Sequence, residues 1–232
     1  MTTKILHQTS WAKSAGGREI ELYSLEHLSS KEASPILFIG GVHGDEPEGV
    51  RLTQDLLHWL QKNHNVANPE NVHPWIIIPC LNIDGYLSKE RTNANGVDLN
   101  RNFPSQDWHY EYKSARYFPG DQPGSEPEVQ ALVKLIEEKS PCLIVHFHSW
   151  EACVVYTGHP GKSAAEIIGR DTGYRISEDI GYPTPGSLGQ YGWLEKKIPV
   201  ICVEAQEGCS LDSVWPTFGL GLQKLLNESS RG

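Results

Sequence analysis

Apolar residues recur in two rhythms along the chain. Short unbroken or alternating runs mark strands, and runs with helical spacing fall between them. Residues 19–25, EIELYSL, alternate as a strand does, and 35–41, PILFIGG, form a buried strand that ends in glycines. Beyond Pro47, EGVRLTQDLLHWLQKN places apolar residues at 50, 52, 56, 57 and 60, one face of a helix, and proline suits the first helical turn. Residues 74–81, PWIIIPCL, predict another buried strand. Residues 82–124 are rich in Asn, Gly, Asp, Arg and Pro, without periodicity. A loop of that length in a compact fold is usually functional.

The alternation resumes after the loop. Residues 125–141 predict a helix opened by a capping box, with Ser125 as N-cap and Glu128 three residues on. Residues 142–149, CLIVHFHS, and 152–158, ACVVYTG, are strands. A helix over 162–173, a weaker one over 187–197, a buried strand over 199–205 and a closing helix over 213–229 complete the series. Strands alternating with helices predict an α/β fold, a three-layer α/β/α sandwich with a mixed, mostly parallel central sheet. No repeat or low-complexity linker divides it, so one catalytic domain over 1–232 is expected.

In such folds, sites form in loops at strand ends, and the polar motifs lie there. IGGVHGDEPEG puts His43 and Glu46 three residues apart after a buried strand, with Gly40, Gly41 and Gly44 to let the backbone turn. Alone, that spacing fits an ordinary polar turn as well as two arms of a metal site. His146 and His148 alternate on one strand and so share a face. His148 is at the exposed end, while the deeper His146 suits a core or supporting histidine. Glu204 closes a buried strand, either capping a neighbour or serving as a base, and Glu207 competes from the turn beyond. Arg91, Asn100 and Arg101 lie in RTNANGVDLNRNFP, and arginine grips carboxylates by a two-pronged hydrogen bond.

Composition narrows the choices. Of 232 residues, 38% are hydrophobic and 21% charged, which fits a globular chain. The net charge of −9, without a basic run, argues against nucleic acid as a partner. No apolar stretch approaches the about 20 residues of a membrane span, and the opening residues lack the apolar core of a signal peptide. The five cysteines show no metal-binding spacing and are expected to be buried free thiols, as in a reducing cytoplasm. Nothing in the sequence determines the oligomeric state.

Taken in order, H-x-x-E, R-x-N, G-V-D-L-N-R-N-F, a strand ending in H-S and a strand ending in Glu resemble the zinc carboxypeptidases of the M14 family, over roughly residues 35–228. Within that family, ANGVDLNRNFP, PGSEPEVQAL and GYPTPGSLG are similar to the murein peptide amidase branch. The resemblance implies one Zn2+ on His43, Glu46 and His148, with Glu204 as general base and Arg91 polarising the scissile carbonyl. It implies that Asn100 and Arg101 hold the carboxylate of a small peptide substrate. Tyr182 corresponds to the family's mobile tyrosine, one residue off its spacing. Leu188 holds the position that sets side-chain specificity in digestive members, and offers no charged handle. Trp150 follows the HS pair where many members have Tyr.

The implied reaction is cytoplasmic hydrolysis of the bond between γ-D-glutamate and meso-diaminopimelate. Deacylases resembling aspartoacylase and succinylglutamate desuccinylase share the G-x-x-H-G-x-E turn and the D-L-N-R stretch, and form the alternative. A carboxypeptidase acting on another peptide is a third possibility. A non-catalytic zinc- or peptide-binding module ranks lower, because every catalytic position is filled. The aromatic loop 105–124 is expected either to wall the cleft or to pack on the surface.

Overall fold

The computed structural model describes residues 4–25, 34–63 and 72–228. The strands are β1 (Ile5–Lys13), β2 (Glu19–Leu25), β3 (Ile36–Ile39), β4 (Trp75–Ile78), β5 (Leu143–Trp150), β6 (Cys153–Thr157), β7 (Arg175–Ser177) and β8 (Val200–Gln206). They form one mixed sheet in the order β1-β2-β4-β3-β5-β8-β6-β7. The centre, β4-β3-β5-β8, is parallel, while β1, β2 and β6 pair antiparallel to their inner neighbours. Every residue of β3 and β4 is buried, as is β5 from Leu143 to Ser149. Strands covered on both faces read as continuous apolar runs, which is why these were legible.

The helices are α1 (Pro47–Asn63), α2 (Ile83–Ser88), α3 (Pro127–Lys139), α4 (Lys162–Gly169), α5 (Leu188–Gln190, continued by a wider turn to Glu195) and α6 (Leu211–Glu228). Helix α6 packs against both α1 and α4, α1 meets β5, α4 meets β6, α3 meets β1, and α5 meets β6 and β8. The result is an α/β sandwich. Helix α1 buries Val50, Leu52, Leu56, Leu57 and Leu60. Its first turn approaches β5 so closely that a Cβ on Gly49 would lie 2.4 Å from the Phe147 carbonyl oxygen. No helix among the described residues is long and apolar enough to cross a membrane.

Several local expectations change. Strands β1 and β7 and helix α2 went unpredicted. Helix α3 has no capping box: Glu126 is its N-cap residue, without a side-chain cap. Ser125 instead donates to Glu126 Oε1 at 2.6 Å, and Glu128 accepts from the Ala15 N–H across the fold. Helix α4 stops at Gly169, short of 173. Helix α6 begins at Leu211, and Ser229 of the expected closing helix lies outside the described residues. All five cysteines are unpaired, but only Cys153 is buried and Cys142 is exposed.

Candidate active site

Strand β3 runs parallel between β4 and β5, and the chain leaves it toward α1 and β4 before returning to β5 on the other side. A crevice opens at the carboxyl ends of strands where connections diverge in this way. His43 and Glu46 lie in the turn from β3 to α1, and His148 is near the end of β5. Register places His148 directly beside Glu204 on β8. The turn is compact because Gly44 meets the backbone of α2, where a Cβ would lie 1.9 Å from the Gly85 carbonyl carbon. Asn82 donates through Nδ2 to the Arg91 carbonyl at 3.1 Å, which holds that stretch against the same turn.

Three side chains converge there. His43 Nδ1 lies 2.8 Å from Glu46 Oε1, His148 Nδ1 lies 2.7 Å from Glu46 Oε2, and the two ring nitrogens are 2.9 Å apart. Each ring is oriented from behind. Asp98 Oδ1 lies 3.1 Å from His43 Nε2, and His146 Nδ1 lies 2.8 Å from His148 Nε2. Burial first, then the neighbouring His148 and His43, push the His146 pKa well down, so it stays neutral and can accept. With both Nε2 atoms donating away from the centre, both Nδ1 atoms turn lone pairs toward the Glu46 carboxylate. Converging acceptors need protons or a cation between them. At His43 the charges favour a proton: burial and Arg91 act to lower its pKa, but Glu46 and Asp98 outweigh them and raise it. Burial would raise the Glu46 pKa, yet the two histidines hold it well below the usual range. The three ligand atoms lie within 4.8 Å of one another. A His₂Glu set with a cavity in front suits zinc with an open position.

His146, His148 and Cys202 form a second group at similar spacing. Burial and then Glu204 push the Cys202 thiol well up, so it keeps its proton and donates to Glu204 Oε1 at 3.2 Å. That chemistry supports the carboxylate and disfavours a thiolate ligand.

The cavity in front holds about 510 Å³. Glu204 lines it and is 4% exposed, and burial, reinforced by Glu46 and opposed by His148, raises its pKa. Glu207 also lines the cavity but is exposed. Arg91 donates through Nε to Asp98 Oδ2 at 2.9 Å, and its Nη1 is 3.4 Å from Glu46 Oε1. Asn100 Oδ1 accepts the Leu188 N–H at 2.9 Å, which leaves its amide nitrogen as the group available to the cavity. Arg101 is buried, and its Nη1 donates to the Asn100 carbonyl at 2.7 Å. Tyr182 is 44% exposed, lines the cavity and meets the Trp150 ring edge-on at 5.6 Å. Leu188 is fully buried, and its neighbours Ser187, Gly189 and Gln190 face the cavity instead. From loop 105–124, Arg116 and Tyr117 line the cavity, whereas Tyr110, Tyr112 and Phe118 pack on one another.

Two supporting carboxylates escaped the sequence. Asp98, fully buried, joins His43 to Arg91. Glu48 accepts from Ser149 Oγ at 2.8 Å and from the Gly208 N–H at 2.9 Å, tying the ends of β5 and β8 together. The one available signal for Asp98 was its place inside GVDLNR.

The zinc carboxypeptidase family profile matches residues 2–180. Murein peptide amidase A of Escherichia coli K12 is 36% identical over 169 residues, which cover 67% of this chain and 64% of that protein. The match thus spans slightly less than two thirds of the relative's length. Murein peptide amidase A of Vibrio campbellii is 32% identical over 212 residues, covering 86% of this chain and 79% of that one. The crystal structure of murein-tripeptide amidase from Escherichia coli O157 superposes with a TM-score of 0.75 at 27% identity, over 98% of both chains. By this match and the order of its motifs, the chain belongs to the zinc carboxypeptidase family.

Proposed function

We propose that this chain hydrolyses the amide bond between γ-D-glutamate and meso-diaminopimelate in murein-derived peptides, in the cytoplasm, with one zinc ion held by His43, Glu46 and His148. The observation that carries the substrate class is the state of Arg101. Its guanidinium is buried at the cavity, and among the described residues it forms no direct ion pair, although its charge acts on Asp98 from further off. A buried charge without a direct ion pair is costly, and a substrate carboxylate bound here would supply one. The likeness to murein peptide amidases supplies the substrate. The deacylase alternative lacks comparable support, because the matching family is the zinc carboxypeptidases.

Bound zinc supplies Lewis acidity and lowers the pKa of a water toward ~7. Glu204 takes the proton of the attacking water and returns it to the departing amine. Its buried position and raised pKa suit both transfers. Arg91, with Nε and Nη1 engaged by Asp98 and Glu46, keeps Nη2 to donate to the carbonyl oxygen as charge develops. Asn100 and Arg101 fix the carboxylate beside the cleaved bond and so supply orientation. Tyr182, near the rim, closes over the bound peptide.

The test is release of diaminopimelate from L-Ala-γ-D-Glu-meso-diaminopimelate, followed by mass spectrometry with Glu204→Gln alongside. Release by the parent and not by the variant is expected. No release from protein holding one zinc per chain would reject this substrate.

A further inference from the structure

A third arginine, Arg116, lines the same cavity as Arg91 and Arg101, and the reaction above leaves it unused. We propose that Arg116 recognises a second free carboxylate, carried on the acyl side of the scissile bond. The proposal rests on the amidase reading and extends it to substrate selection.

Arg116 sits in a short turn, Ala115–Tyr117, inside the loop that separates the arginine-rich segment from α3. Its Nη1 donates to Asp45 Oδ2 at 2.6 Å. Asp45 precedes Glu46, so this ion pair pins the guanidinium beside the metal-ligand turn. The next residue, Tyr117, stacks its ring on Arg91, with the guanidinium carbon 5.2 Å from the ring centre. Arg116 therefore belongs to the Arg91 side of the cavity, where the scissile carbonyl is held. Asn100 and Arg101 take the leaving amine's carboxylate and define the other side.

The Arg116 side chain is 47% exposed and Asp45 occupies one edge of its fork. The Tyr117 side chain also hydrogen-bonds the guanidinium, and at this exposure N–H groups remain to donate to a carboxylate. A γ-linked glutamyl group carries its α-carboxylate a few bonds from the scissile carbonyl, within reach of an arginine just beyond Arg91. An acyl group whose carboxyl is amidated offers no charge there.

The experiment compares two peptides, L-Ala-γ-D-Glu-meso-diaminopimelate and its counterpart with the glutamate α-carboxyl amidated. The zinc-loaded parent, Arg116→Gln and Arg116→Lys are each assayed on both. The ratio of kcat/KM is taken within each protein, so the fraction of active enzyme cancels. The parent is expected to favour the free acid by roughly tenfold, the effect of a charge-assisted hydrogen bond at a half-exposed site. Arg116→Gln brings the ratio to about one, and Arg116→Lys keeps part of it. A parent ratio near one, or a ratio that Arg116→Gln leaves unaltered, overturns the inference alone. If the parent cleaves neither peptide, the amidase reading fails and the inference goes with it.

Discussion

Asp98 presents Oδ1 to His43 Nε2 at 3.1 Å while its Oδ2 takes the Arg91 Nε–H at 2.9 Å. One buried carboxylate thus sets the tautomer of a candidate metal ligand and the angle of the arginine beside it. Asp98→Asn keeps the shape and removes the charge. Zinc affinity should fall by roughly 10–100-fold, the usual effect of losing such a supporting partner. A competition titration against a chelator measures it. Unchanged affinity would mean that Asp98 serves only Arg91.

Arg91 and Arg101 should separate kinetically. Arg91 is aimed at charge that exists only as the carbonyl is attacked, so Arg91→Ala should lower kcat by about 10²–10³. Arg101 meets a carboxylate that is charged throughout, so Arg101→Ala should act chiefly on KM. Steady-state kinetics on the murein tripeptide separates the two, and equal effects on kcat would contradict this division of roles.

The sheet centre was legible because its parallel strands are buried on both faces and spell unbroken apolar runs. Strand β1 was not, because it is an edge strand whose residues 6–10 are all exposed, so no core face imprints its sequence. Helix α2 hid in the polar loop: its signal is a single Asn82, which caps the Gly85 N–H. In the site, His43, Glu46, His148 and Glu204 stood out because each is polar at the end of an apolar run. Asp98 and Glu48 did not, because His43 and Gly208, which they hold, lie 55 and 160 positions away in sequence. The capping box failed for a similar reason, since Glu128 is drawn away by the Ala15 N–H.

Gly44 offers a test of the turn itself. An added methyl would collide with the backbone of α2 and has no flexible side chain to displace. Gly44→Ala should cost about 1–3 kcal/mol, the usual range for overpacking. Thermal unfolding should show a Tm lower by several degrees, together with weaker zinc binding, because His43 and Glu46 flank the displaced residue. An unchanged Tm would show that α2 moves aside freely.

Metal removal should give a pH-dependent penalty whose sign follows from the ligands. Without metal, His43 has a raised pKa, because Glu46 and Asp98 prevail over burial and Arg91. Its contribution to stability is fully present below the unfolded value of about 6.5 and is lost as pH rises through the folded pKa. Glu46 behaves oppositely: its depressed pKa contributes above its ordinary range and is lost only in acid. From about pH 6.5 upward the His43 loss therefore governs the metal-free site. Zinc needs the same nitrogen deprotonated, so its binding strengthens over that interval. The Tm difference between zinc-loaded and chelated protein should widen as pH rises, and distant groups that titrate alike in both forms cancel from it. Scanning fluorimetry across that range measures the gap. A gap that narrowed with pH would mean that His43 is neutral in the metal-free protein, and that the converging lone pairs are held apart by something other than a shared proton.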